Sequence, residues 1–163
     1  YYWRLSGRGA ANLPNTANPS DASLEKAANE GVGMSIDQKL NDNVGVWLRM
    51  GKQRHRVSRF DRHANAGLHL SGAIVGRSED AAGIAYGITS MGRTYRGYLK
   101  SSNPQFNAGH EHYFELYYNI AIGSATGNTG FHITPDIQYV MNPGGDTAAS
   151  KEVIYGIRLQ TFF

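Results

Sequence analysis

The chain has 163 residues, enough for one domain, and it contains no cysteine, which excludes a disulfide framework, a thiolate metal site and a cysteine nucleophile. Its formal net charge of +3 comes from basic residues spread along the chain, which argues against a nucleic-acid-binding protein. No apolar run approaches the roughly 20 residues of a membrane-spanning helix, whereas 20 glycines, ten tyrosines and a charged fraction of only 18% favour β structure.

Apolar and polar side chains alternate with a period of two along most of the chain, as they do in strands that have one apolar face. In chain order the alternating segments are 1–8, 31–40, 43–51, 65–76, 83–90, 110–122, 130–141 and 151–163. In the last of them, for example, Ile157 and Leu159 alternate with Arg158 and Gln160. Each segment is roughly 8–13 residues long, close to what a tilted strand needs to cross a membrane. The pattern predicts an all-β protein, an antiparallel transmembrane β-barrel segment of about eight strands.

The connections between these segments tend to alternate between long and short. In chain order they are 9–30, 41–42, 52–64, 77–82, 91–109, 123–129 and 142–150. Bacterial barrels have short periplasmic turns and longer outer loops, so we expect long outer loops near 9–30, 52–64 and 91–109. Residues 20–30 are the one helix candidate, a surface helical turn in the first loop. Pro135 lies inside a predicted strand and predicts a bulge or an irregular strand start there.

A soluble antiparallel sandwich is the main alternative, because its strands also alternate between an apolar and a polar face. The alternation of long and short connections and the aromatic C-terminal residue, Phe163, favour the barrel. The chain opens directly on a predicted strand, without the basic and then apolar segments of a signal peptide, so we expect it to be a piece of a longer chain.

Three blocks of the sequence are distinctive. They are GRSEDAAGIAYGITS at 76–90, HEHYFELYYNIAI at 110–122 with Glu111, Glu115 and Tyr118, and ITPDIQYVMNPGG at 133–145 followed by the terminal YGIRLQTFF. These blocks resemble the carbohydrate-selective porins of the OprB type. The resemblance is good over 65–163 and thin over 1–64. Porins of this kind form barrels of about sixteen strands, so the resemblance implies that this chain is the C-terminal half of such a barrel. A complete barrel of about eight strands is the alternative, but side chains would fill its interior and it would not conduct sugars.

The resemblance implies passive, selective diffusion of mono- or oligosaccharides through a polar lumen in the bacterial outer membrane. Charges that face lipid at mid-depth cost about 2–4 kcal/mol, so the polar faces of the strands should line that lumen. The residues expected along the solute path are Arg4, Arg8, Asp37, Lys39, Trp47, Arg49, His69, Glu111, Glu115, Tyr117, Asn119, Asp136, Gln138, Arg158 and Gln160. Guanidinium and carboxylate groups can exchange hydrogen bonds with sugar hydroxyls, and aromatic rings offer flat apolar surfaces to sugar rings. For each single residue, pairing within the wall is the alternative to contact with the solute.

Two other groups of residues give weaker indications of a binding site. His110 and His112 share one face of a strand, as two metal ligands would, but that face shows no third ligand, and no metal or cofactor is predicted. The basic residues of 52–64 are suited to contact lipopolysaccharide phosphates or acidic solutes, and a solvated basic loop or one folded inward to narrow the pore is the alternative. Outer-membrane lipid and lipopolysaccharide are expected partners, and a homo-oligomer is compatible with the sequence.

Catalysis has no clear signature. A barrel enzyme that acts on lipid or polysaccharide remains an alternative because His69, Ser71, Glu115 and Asp136 are present, but no spacing among them singles out a triad. No catalytic residue is therefore predicted.

Overall fold

The computed structural model describes residues 2–5, 29–56, 58–122 and 130–162. Its strands are β1 (Tyr2–Leu5), β2 (Asn29–Lys39), β3 (Val44–Gln53), β4 (Phe60–Ser71), β5 (Ala81–Met91), β6 (His110–Ile122), β7 (Gly130–Met141) and β8 (Glu152–Phe162), and its helix is α1 (Arg93–Ser102). The eight strands form one sheet in sequence order, and each strand is antiparallel to the next. Within the described ranges, no helix has the length and apolar character needed to cross a membrane.

The register keeps apolar and polar residues on opposite sides across the whole sheet. One row of register partners reads Ile36, Leu48, Ala66, Tyr86, Phe114 and Tyr139, and the side on which it lies is the apolar face. The adjacent row reads Asp37, Trp47, Gly67, Ala85, Glu115 and Gln138, and its side is the polar face. Because side chains alternate along a strand, one correct register fixes both faces at once.

The sheet is not wrapped around an apolar core. Among the described residues only Ala85, Met91 and Phe106 are buried apolar residues, whereas 18 large hydrophobic residues are exposed, most of them on the apolar face. Tyr155 and Ile157 of β8 are 78% and 74% exposed. A soluble sandwich buries such side chains between two layers, but the described strands form a single layer. The prediction of an antiparallel barrel wall is confirmed, and the sandwich alternative is wrong.

Several element boundaries differ from the expectation. The long loop expected at 52–64 is only 54–59, because β3 runs through Gln53 and β4 begins at Phe60 rather than at 65. A register shift between Phe60 and Arg62 lets β4 begin early, and β4 ends at Ser71 where a single 3-10 turn follows. The loop expected at 91–109 contains α1, which the alternation did not predict. In the helix candidate, 20–28 lies outside the described residues and Asn29 and Glu30 belong to β2.

The strand pairing is irregular at Pro135, although no register shift marks a bulge there. The β6–β7 register keeps the same offset from Tyr117 opposite Asp136 to Ile120 opposite Ile133, but the two residue pairs between them are missing from the ladder, and Pro135 pairs with Ile157 of β8. Proline lacks an N–H donor, so a strand can carry it where its nitrogen is not needed for pairing. Here the strand continues through Pro135 with both faces intact.

The connections fall at two ends of the sheet. The connections 54–59, 92–109 and 142–151 join strands at the long-loop end, where β1 ends and β2 begins. The connections 40–43 and 72–80 join strands at the short-turn end, where β6 ends and β7 begins. The longest connection between described strands that the structure describes in full, 92–109, is therefore at the long-loop end.

Asp80 links the connection 72–80 to β6 at the short-turn end. Its carboxylate is 3% exposed and accepts hydrogen bonds from Arg77 Nε at 2.5 Å, Arg77 Nη2 at 3.1 Å, the Tyr118 hydroxyl at 2.8 Å and the Ala121 backbone N–H at 3.0 Å. The hydrogen bond from Arg77 is the largest cause that lowers the pKa of Asp80 well below its usual range. The same contact raises the pKa of Arg77. One carboxylate thus ties the connection before β5 to the end of β6.

Candidate functional site

The polar face of β2 and β3 carries an ion pair that is stacked on an aromatic ring. Arg49 Nη2 lies 3.5 Å from Asp37 Oδ1, and the Ser35 hydroxyl donates to Asp37 Oδ2 at 3.2 Å. The Arg49 guanidinium carbon lies 4.8 Å from the centroid of the Trp47 ring, within the range of a cation–π contact. The Asp37 and Arg49 side chains are 64% and 52% exposed, so this cluster presents both charges to the solvent.

Glycine lets the Trp47 ring lie flat on the wall. A Cβ at Gly67, the register partner of Trp47, would lie 2.6 Å from a ring carbon and 2.7 Å from the Ile84 carbonyl oxygen. The ring packs against β4 because Gly67 has no side chain. The ring thus lies against the backbone at Gly67 and beside the Arg49 guanidinium.

Two tyrosines of β6 lie across β5 in the same manner. The Tyr113 and Tyr117 rings occupy the space that a Cβ would need at Gly87 and Gly83. Their hydroxyls reach β4. The Tyr113 hydroxyl accepts a hydrogen bond from Asn65 Nδ2 at 3.1 Å, and the Tyr117 hydroxyl lies 3.3 Å from His69 Nδ1. Three strands are therefore joined on the polar face by hydrogen bonds that cross a glycine.

The remaining path residues continue the polar face toward β8. Glu115 lies between the two tyrosines along β6 and opposite Gln138 of β7. Asp136 accepts a hydrogen bond from Gln138 Nε2 at 3.3 Å, and its carboxylate extends over Gly156 of β8. Arg158 is exposed on the same face, two residues beyond Gly156. The polar face thus carries acidic or basic groups on five strands, β2, β3, β6, β7 and β8.

The structure brings most of the predicted path residues onto one surface. Asp37, Trp47, Arg49, His69, Glu115, Tyr117, Asn119, Asp136, Gln138, Arg158 and Gln160 lie on the polar face of β2–β8. Asn119 is engaged within the wall, because its Nδ2 donates to the Thr134 hydroxyl at 2.8 Å and its Oδ1 lies 2.7 Å from His132 Nδ1.

Of the other four predicted path residues, two lie at the ends of the polar face and two have side chains outside the described part. Lys39 pairs at 2.9 Å with Asp42 in the turn after β2. Glu111 accepts the Gly144 N–H at 2.7 Å and holds the connection 142–151 against β6. Arg4 lies in β1, but its side chain is outside the described part, and Arg8 lies wholly outside the described residues.

The two histidines of the HEH sequence each lie beside a hydroxyl group. On the apolar face, His112 Nδ1 lies 2.7 Å from the Tyr86 hydroxyl and His110 Nδ1 lies 3.0 Å from the Ser90 hydroxyl. No group of three or more His, Cys, Asp or Glu side chains placed to hold a metal occurs in the part of the chain that the structure describes.

The sequence reasoning missed the residues that position the aromatic rings. Ser35 and Asn65 were absent from the expected path, although each occupies a polar-face position in an alternating segment. Gly67, Gly83 and Gly87 carry no side chain to signal a role. The signal for such a position is a small residue paired across two strands with a large aromatic residue. It can be recognised only once the register is known.

A single-layer sheet with one exposed apolar face and one polar face of mixed charge defines the wall of a transmembrane β-barrel with a polar interior. The family model of the carbohydrate-selective porins, OprB family, matches residues 4–163. The chain belongs to that family, a family of outer-membrane porins rather than of enzymes. The match includes the N-terminal third, where the resemblance of sequence blocks is thin.

A solved structure, the high-pH structure of Pseudomonas putida OprB, shares the fold with a TM-score of 0.73 at 15% sequence identity. The match covers 99% of this chain and 43% of that chain, so this chain spans less than half of the length of the solved relative. No curated protein matches the sequence.

Proposed function

We propose that the protein passes sugars across the bacterial outer membrane by passive, selective diffusion. In this proposal the polar face lines part of a water-filled lumen and the apolar face contacts lipid. The supporting observation is the separation of exposed groups: large hydrophobic side chains on one face, and Asp37, Arg49, Glu115, Asp136 and Arg158 on the other. The register makes that separation continuous from β2 to β8, and membership of the porin family agrees with it.

The described sheet supplies one half of the barrel in this proposal. β1 and β8 are its edge strands, and each has a strand neighbour on one side only. An unpaired strand edge is costly inside a membrane because lipid offers no hydrogen bonds. We infer that the rest of a longer chain pairs with both edges, in a barrel of about sixteen strands.

Arg49 is the proposed sugar contact within the lumen. A guanidinium has five donors, and only one of them is directed at Asp37, so donors remain for sugar hydroxyls. Trp47 and Asp37 position the group, which fixes the direction of those donors. Acidic and basic groups spread over one lumen wall favour neutral polar solutes over ions of either sign.

The proposal gives the possible catalytic groups a structural role. His69 of β4 forms a hydrogen bond with Tyr117 of β6, which links the two strands, and Asp136 accepts a hydrogen bond from Gln138 within β7. Outer-membrane lipid and lipopolysaccharide are the proposed partners of the apolar face, which is also free to contact further copies of the chain.

A liposome swelling assay on the full-length protein tests the proposal. Liposomes that contain the protein should admit glucose and disaccharides faster than empty liposomes do. Equal rates would overturn the porin function.

Substitution of Arg49 tests the proposed contact. Arg49→Ala should weaken the block of ion current by sugar by at least about tenfold, because the loss of one hydrogen bond to a charged group costs about 1.5–3 kcal/mol. Lys39→Ala is the matched control: it removes the same charge from the same face, at a residue paired in the turn. Planar-bilayer recordings measure both, and an unchanged half-blocking concentration in Arg49→Ala would leave Arg49 as a wall residue.

A further inference from the structure

The apolar face contains a groove along β4. Ala64 lies between Met50 of β3 and Ile88 of β5, and the larger neighbours leave a hollow of about 430 Å³ above it. At the next position on this face, Ala66 lies between Leu48 and Tyr86 under a second hollow of about 550 Å³. Small residues flanked by large ones on both sides thus form an apolar groove in line with the strand.

The groove is closed by a larger side chain at one end and opens on basic residues at the other. Leu68 of β4 follows Ala66 on the apolar face, toward the short-turn end. At the long-loop end, Arg62 of β4 lies directly opposite Lys52 of β3, and both line the first hollow. The groove from Arg62 to Leu68 is about 20 Å long at about 3.4 Å per residue.

The two cations at the groove mouth are only partly neutralised by the protein. Arg62 Nε lies 3.6 Å from Asp61 Oδ1, and the Arg62 side chain remains 60% exposed. Lys52 forms no ion pair with any other described residue. Like charges directly opposite one another in antiparallel strands destabilise the pair. An anion between Lys52 and Arg62 would remove that repulsion.

We propose that this groove binds an acyl chain of lipid A, the phosphorylated, multiply acylated disaccharide of lipopolysaccharide, and that Lys52 and Arg62 bind its phosphate. This inference rests on the proposed function, because it needs the apolar face in lipid and the long-loop end outside. An acyl chain matches the apolar groove, and a phosphate at one end of the lipid matches the two cations. Lys52 and Arg62, which were expected within a loop, belong to β3 and β4. In this proposal they face the lipid near the polar boundary of the membrane.

Lipid titration of the full-length protein in detergent, followed by native mass spectrometry, tests the proposal. The probes are lipid A, dephosphorylated lipid A and phosphatidylglycerol. Lipid A should bind more tightly than the other two. The double variant Lys52→Gln, Arg62→Gln should weaken lipid A binding about 30-fold, since each basic residue near an anionic surface contributes about 1 kcal/mol.

Two further variants make the test specific. Ala64→Leu should weaken the binding of lipid A and of its dephosphorylated form alike, because it fills the groove without a change in charge. Arg93→Gln with Lys100→Gln removes two exposed charges from α1 at the same end of the sheet and should leave binding unchanged. Equal binding of lipid A by the wild-type protein and by the double variant Lys52→Gln, Arg62→Gln (the groove-mouth variant) would overturn the site. Equal affinity for phosphatidylglycerol and lipid A would overturn the choice of lipid, and a change of oligomeric state in Ala64→Leu without a change in lipid binding would assign the groove to a second copy of the chain.

The sugar block of ion current separates the two proposals. Unchanged sugar block in a groove-mouth variant that binds lipid A normally would reject only the lipid site. Specific lipid A binding by a protein that admits no sugar would reject only the transport function.

Discussion

Trp47 shows how a single residue depends on its cross-strand neighbour. Its ring lies flat because Gly67 has no side chain, and in that position it supports the Arg49 guanidinium at 4.8 Å. Tyr113 and Tyr117 repeat the arrangement over Gly87 and Gly83. The polar face is therefore shaped by glycines as much as by the charged residues that it presents.

Substitution of Gly67 should displace the Trp47 ring. Gly67→Ala places a Cβ 2.6 Å from the ring and 2.7 Å from a backbone oxygen, so we expect a loss of about 1–3 kcal/mol in folding free energy and weaker sugar block. Urea titration in detergent micelles measures the first effect.

Gly45→Ala is the control for that substitution. A Cβ at Gly45 would meet its nearest atoms at 3.8 and 3.9 Å, which are ordinary contact distances. The free energy of unfolding of the Gly45→Ala protein should therefore differ from that of the wild-type protein by less than about 0.5 kcal/mol. Equal effects of the two alanines would show that the ring does not need the glycine.

Strand β8 is the element in which the two faces can be compared most directly. Ile157 lies on the apolar face opposite Pro135, and Ile154 lies on the polar face opposite Gln138. The two side chains are chemically identical and differ in the side of the sheet on which they lie. They are 74% and 44% exposed.

The same substitution at these two positions should therefore have different costs. Ile157→Arg, at the middle of the strand, should lower the folding free energy in lipid by about 2–4 kcal/mol, whereas Ile154→Arg should change it by less than about 1 kcal/mol. Folding titrations into lipid vesicles measure both. Similar losses at the two positions would mean that the register assigns the faces wrongly.

The connection before β5 should carry a pH-dependent part of the stability. Because Arg77 holds the pKa of Asp80 below its ordinary value of about 3.9, ionised Asp80 stabilises the folded state above pH 4 or so. That contribution is lost as the pH falls from about 4 toward the lower pKa of the folded state. Asp80→Asn should lower the thermal midpoint at pH 7.

The difference between Asp80→Asn and the wild-type protein should narrow below pH 4 or so, because protonation removes the same charge from Asp80. Glu79→Gln, a change at the exposed neighbouring carboxylate, is the control for loss of a charge in this connection. Thermal melts followed by circular dichroism between about pH 2 and 7, a range that crosses the ordinary pKa of an aspartate, check the prediction. A constant difference across the whole range would remove Asp80 as the cause.

At the scale of the whole molecule, the sheet differs from a soluble fold in where it places apolar surface. Only three apolar residues are buried in the described part, so burial inside this chain supplies little of the stability. In the proposed function, lipid covers the apolar face and the remainder of a longer barrel covers the edges of β1 and β8. Stability and transport then both depend on partners outside this sheet.

The sequence alone determined the strand character of the chain and the division of its residues between two faces. A period of two is a local property, and it survives errors of a few residues at strand ends, such as the early start of β4 at Phe60. The blocks at 76–90, 110–122 and 133–145 also identified the family, which the match over residues 4–163 confirms.

Only the tertiary structure decided which residues meet. Cross-strand register determines which residues pack or pair. It packs the Trp47 ring on Gly67, and it places Lys52 opposite Arg62. Glu111 bonds the Gly144 N–H, whereas Glu115 lies opposite Gln138. Register depends on hydrogen bonds between segments that are distant in the chain and on the shift near Phe60, which no local pattern encodes. The alternation therefore specified what each face contains, and the pairing of the strands specified the contacts within it.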